Sequence, residues 1–146
     1  MQGVSYFWRW GLTCLWMGLI FFMSSQTASG EHSSWLLQSI LSVLGVSYPP
    51  DGCLDILHMI VRKFAHVFAY ALLALLFAWS LAPRPGHVRQ AWLFSVAYAT
   101  SDELHQLLVP HRGGQLTDVG IDAVGVSLAL LVWVWRAGQW GRRYSQ

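Results

Sequence analysis

The chain has 146 residues, 55% of them hydrophobic and only 11% charged, with a formal net charge of +2. A soluble domain carries about 25% charged residues, so this deficit argues for a single membrane domain over 1–146 with about four spans. The small net charge and the lack of any Arg/Lys-rich cluster exclude a nucleic-acid binder, and Cys14 and Cys53 sit at different expected depths, which gives no disulfide framework.

The first apolar run, 6–23, is broken only by Arg9, which can snorkel to the surface. Trp8, Trp10 and Trp16 suit a helix anchored at an interface. The run ends in Ser24-Ser25-Gln26. The competing reading is a cleaved signal peptide with Ala28-Ser29-Gly30 as the cut site. The length of the run and its single early charge favour a retained span.

Residues 27–53 form the longest connection. Trp35, Leu36, Leu37, Ile40, Leu41 and Leu44 recur at helical spacing behind Ser33 or Ser34 as cap. This helix is too short to span and is expected in the interface plane, ending at Gly45 and Pro49-Pro50. Asp51 is the expected cap of the next helix. Its apolar part is 64–82, preceded by Arg62-Lys63 and stopped by Pro83 and Pro85. Lys63, His66 and Tyr70 share one helical face, with His58 and Arg62 beside it.

A short turn leads to the third span, 90–109, which contains Asp102-Glu103-Leu104-His105-Gln106. Asp102, His105 and Gln106 fall at i, i+3 and i+4 on one face. Glu103 points about 100° away, toward a different partner. A polar loop with Gly113-Gly114 precedes the fourth span, 119–135, which Thr117 or Asp118 begins. Asp118, Asp122 and Gly125 share a face that Ala129 continues as a small-residue track for close packing. The tail after Trp135 is basic and polar.

Four spans place Arg9, Arg84, Arg89, Arg136, Arg142 and Arg143 on one side, and Arg62, Lys63 and Arg112 on the other. The excess of six over three puts both termini in the cytoplasm. Every span then brings polar groups to the outer leaflet. At 1.5 Å per residue Asp122 lies about 6 Å beyond Asp118, and Asp102 about 12 Å short of Pro110, so the constellation dips into the hydrocarbon.

Ser24-Ser25-Gln26, Lys63-x-x-His66-x-x-x-Tyr70, Asp102-Glu103-x-x-Gln106, Pro110-x-Arg112, Asp118, Asp122 and Gly125, in this order, resemble the pattern of the VanZ-like family. The resemblance runs from about residue 18 to about residue 130. It departs at His111-Arg112, where Gly more usually precedes the arginine, and at Asp122, where asparagine is common. The family is one of small bacterial membrane proteins whose founding member is associated with resistance to the lipoglycopeptide teicoplanin. It implies a polytopic inner-membrane protein, and a possible role in glycopeptide resistance or envelope homeostasis.

An ionisable group at depth costs roughly 2.5–3.5 kcal/mol and normally marks a functional site. The favoured reading is a ligand-binding pocket formed by Lys63, His66, Tyr70, Asp102, Glu103, Gln106, Arg112, Asp118 and Asp122. Arg62, Lys63 and Arg112 at its rim suit a phosphate or carboxylate, and apolar walls suit an acyl or polyprenyl chain. An anionic membrane lipid, a lipid-linked envelope precursor or a lipoglycopeptide all fit. A salt-bridge network that only holds the helices together is the second reading. The third is a membrane-embedded acid–base enzyme using Asp102, Glu103, His105 or Asp118. Asp102-x-x-His105 is half of a carboxylate-bridged metal site, but the only other such spacing is Asp55-x-x-His58, near the interface. No zinc motif, phosphate loop or nucleophile elbow occurs, so no metal and no cofactor is expected. The expected fold is thus all-α: an integral membrane bundle of four transmembrane helices with a short interfacial helix between the first and second.

Overall fold

The computed structural model describes residues 2–25, 52–109 and 115–143. The expected interfacial helix, the Asp51 cap, Gln26 and Arg112 lie outside these. Within the described residues the chain is all-α, with α1 over Gln2–Ser25, α2 over Cys53–Leu81, α3 over His87–Gln106 and α4 over Leu116–Arg143.

Local chemistry sets the helix ends. α2 follows Gly52, whose φ of 79° suits a residue without Cβ, and no side chain caps it. It stops at Ala82, which is extended because Pro83 disfavours a helical residue before it. α3 begins after Gly86, again left-handed at φ 74°. It ends at Gln106, three residues short of the expected Val109. There Leu108 N–H bonds His105 O and Val109 N–H bonds Gln106 O, so the chain tightens into i→i+3 turns before Pro110.

The middle of the bundle is α2 against α3. α1 packs on one side of that pair and α4 on the other. Leu73, Ala74, Phe77, Ala78, Ala91, Ala99, Val126 and Leu130 form the core. Its alanines let the backbones approach, as small residues do wherever lipid gives no hydrophobic drive to association. α4 comes close to α2 at Gly125, where an added Cβ would lie 2.7 Å from Val67 Cγ1 and 3.0 Å from Val67 O. α4 can seat against α2 only with glycine there.

Polar contacts tie α1 to this pair. The indole of Trp16 donates to Ala69 O (3.0 Å), Tyr98 Oη to Met17 O (2.7 Å), and Thr13 and Ser80 pair at 2.9 Å in the buried interface. Arg9 is half-buried. Its guanidinium donates to Trp79 O at 3.2 Å and lies over the Trp79 ring. A cation at the last carbonyls of α2 is favoured by the helix dipole.

Large apolar side chains face outward on every helix, among them Phe7, Phe22, Phe64, Phe68, Leu93, Leu104, Leu128 and Leu131. Such a surface is unsuited to water and suited to lipid. Two stretches, Met59–Leu81 and Leu116–Gly138, are long and apolar enough to cross a membrane. α1 is diluted by Arg9 and its tryptophans, and α3 by Arg89, Asp102 and Glu103.

Candidate functional site

The antiparallel succession of helices brings the C-terminal ends of α1 and α3 beside the N-terminal half of α2 and the start of α4. Four segments far apart in sequence therefore deliver their polar residues to one end of the bundle. Asp102, Glu103, Gln106, Asp118 and Asp122 are all buried there, as are Ser24 and Tyr70.

Gln106 is the crosspiece between α1 and α3. It is fully buried, and its amide nitrogen donates to Ser24 Oγ at 2.9 Å and to Asp102 Oδ2 at 3.1 Å. His105 turns away from this cluster. Its Nε2 pairs with Ser25 Oγ at 3.2 Å, and its ring lies 4.7 Å from that of Phe21. Asp102 and His105 therefore have different partners although they share a helical face.

Glu103 faces α4, where Oε2 accepts the backbone N–H of Gln115 at 2.9 Å. Asp118 occupies the first turn of α4, where a carboxylate complements the helix dipole. It forms an ion pair with Lys63 of α2, whose side chain is one-third exposed. One turn further on, Asp122 Oδ2 stands 3.8 Å from His66 Nδ1. The His66 ring lies 6.1 Å from that of Tyr70, which in turn is 6.4 Å from Tyr98.

A small cleft of about 10 Å³ opens beside these groups, lined by Arg62, Lys63, His66, Asp118, Ile121 and Asp122. It has room for roughly one water-sized particle. Seven buried side-chain atoms have no hydrogen-bond partner among the described residues. Five of them, on Tyr70, Asp102, Gln106 and Asp122, belong to this cluster. Buried polar atoms are nearly always satisfied, so among the described residues the cluster has hydrogen-bonding capacity left over.

The structure thus brings together eight of the nine residues picked from the sequence as pocket-forming; Arg112 lies outside the described residues. Sequence reasoning missed the cross-helix partners, such as the Gln115 N–H on Glu103. It also missed the convergence of His66, Glu103 and Asp122 from three helices, because no spacing along the chain encodes it.

A family model described as VanZ/LLP1 matches residues 9–137. No curated protein and no solved structure matches the chain.

Proposed function

The chain belongs to the VanZ-like family, and from that premise we propose that it is a four-span protein of the bacterial inner membrane. Both termini are cytoplasmic, and its polar cluster faces the outer leaflet. There it binds the anionic head group of a lipid, a lipid-linked envelope precursor or a lipoglycopeptide, in support of envelope homeostasis or glycopeptide resistance. The observation that carries this reading is the cleft where the two basic side chains Arg62 and Lys63 border the buried cluster. Cations at the rim attract a phosphate or carboxylate, and a guanidinium can grip it bidentately. The cleft takes the tip of a head group, while the outward phenylalanines and leucines of α2 and α4 suit its chains.

The polar ends of the helices and their arginine-rich ends lie at opposite ends of the bundle. Arg9 and Arg84 sit at the latter, with Arg84 over the ring of Tyr6. This segregation supports one fixed orientation across the bilayer.

A second reading is favoured by one contact, the Lys63–Asp118 ion pair. It fits a network that only holds the helices together. The two readings separate in nanodiscs of defined composition. Head-group binding predicts that the protein enriches phosphatidylglycerol over phosphatidylcholine around itself, and that Arg62→Ala lowers the enrichment without lowering the melting temperature. Equal enrichment of both lipids by wild type would leave only the network.

A further inference from the structure

The convergence of His66, Glu103 and Asp122 points to a ligand of its own. One ring nitrogen of His66 and one carboxylate oxygen from each of Glu103 and Asp122 all lie within 4.8 Å of one another. Asp122 is 1% exposed, yet neither of its oxygens has a hydrogen-bond partner among the described residues. His66 Nδ1, at 3.8 Å, stands beyond hydrogen-bonding reach. A carboxylate this deep needs a compensating charge or hydrogen bonds. Lys63 is already engaged by Asp118. Among the described residues, Asp102, Glu103 and Asp122 therefore share His66 as the basic side chain within the cluster.

We propose that His66, Glu103 and Asp122 hold a divalent transition-metal ion, of the Zn²⁺ or Mn²⁺ type. One imidazole and two carboxylates form a mixed nitrogen and oxygen set, which suits these ions better than a soft thiolate-seeking ion. A divalent charge offsets the excess of carboxylates. Glu103 is prepared for the role because one of its oxygens is fixed by the Gln115 N–H, which orients the other. Metal bonds of about 2.0–2.1 Å put tetrahedral ligand atoms about 3.3 Å apart, so binding draws the three side chains inward by roughly 1 Å. Three protein ligands leave one position open, as in catalytic rather than closed structural sites. His66 and Asp122 also line the cleft with Arg62 and Lys63. An oxygen of a phosphate reaching into this cleft would complete the coordination while Arg62 holds the rest of the group. That final contact rests on the head-group reading; the metal site itself does not.

The test uses the full chain in detergent, stripped with EDTA and desalted, then titrated separately with Zn²⁺ and Mn²⁺ chloride. Bound metal is counted by plasma mass spectrometry while the melting temperature is followed. The site predicts about one ion per chain, with a rise in melting temperature that EDTA reverses. Asp122→Asn, Glu103→Gln and His66→Gln should each weaken metal affinity by about tenfold or more, whereas His105→Gln and His87→Gln should leave it unchanged. Where Asp122→Asn does not fold, the other two substitutions decide. Cobalt(II) added to wild type gives a reading that needs no variant, through the ligand-field bands of a nitrogen and oxygen set. Folded wild type that takes up less than about a tenth of an ion per chain would overturn the proposal, as would full retention by all three ligand variants. Metal binding without preference for phosphatidylglycerol leaves the site standing and removes the head-group reading. Lipid preference without metal binding does the reverse.

Discussion

Lys63 and Asp118 show how the cluster divides its work at the scale of single residues. Their side chains are 32% and 12% exposed, so the pair is neither at the surface nor sealed in the core. Breaking a fully buried pair costs about 3–5 kcal/mol, and partial exposure lowers that figure. Lys63→Met should therefore destabilise the protein by about 1–3 kcal/mol, because it leaves the Asp118 carboxylate without its cation. A double-mutant cycle of Lys63→Met and Asp118→Asn, read by reversible unfolding in detergent, should return a coupling of similar size. Additive effects would show that the pair contributes nothing to the fold. Gln106 is different in kind, since it is neutral and fully buried. Gln106→Leu strips Ser24 and Asp102 of a donor, and an unsatisfied buried acceptor costs about 1–3 kcal/mol. Hydrogen exchange at the C-terminal turn of α1 should rise in this variant more than exchange in α4.

The helices themselves are held by two devices, small residues between α2 and α4 and polar ties on α1. Gly125→Ala places a Cβ against both the side chain and the backbone of Val67. Trimming Val67 cannot move its carbonyl, so the expected cost is about 1–3 kcal/mol even in the Val67→Ala background. Gly120→Ala, with nothing within 4 Å of the added Cβ, should be tolerated. Unfolding midpoints of the two variants check this contrast, and equal midpoints would refute the account of the α2–α4 contact. At this scale the sequence was informative about faces. The periods linking Lys63 to His66 and Tyr70, and Asp118 to Asp122 and Gly125, each follow from 3.6 residues per turn. Which partner a face meets was not legible, because helix rotation and approach are set by packing. Gly125 seats α4 on Val67, and only that seating brings Asp122 toward His66. In the same way Gln106 and His105, one residue apart, reach different residues of α1. Nor was the contact of Arg9 with the Trp79 carbonyl legible from spacing along the chain.

For the whole molecule, the alternation of apolar runs and turns was enough to yield the four helices found among the described residues. The helix over His87–Gln106 is offset from the expected span 90–109, because a left-handed glycine starts it and i→i+3 turns end it. A surface rich in exposed phenylalanine and leucine, with two stretches fit to cross a bilayer, supports membrane residence. The proposed four-span topology makes a direct prediction. In a background with Cys14 and Cys53 replaced by serine, Ser34→Cys should react with an impermeant maleimide on intact spheroplasts. Pro85→Cys and Ser145→Cys should react only after permeabilisation. Labelling of Pro85→Cys in intact spheroplasts would reverse the orientation and turn the polar cluster inward.

Capture of an anionic head group by the polar cluster is the proposal on which the functional reading depends. Native mass spectrometry of wild type and Asp118→Asn, each offered the same bacterial lipid extract, tests it most directly. A defined adduct is expected on wild type, its mass matching a phosphate- or carboxylate-bearing amphiphile, and it should be lost from an equally folded Asp118→Asn. The contradicting result is no adduct on either protein, with Asp118→Asn markedly less heat-stable. That outcome would reduce the cluster to a device for holding helices together.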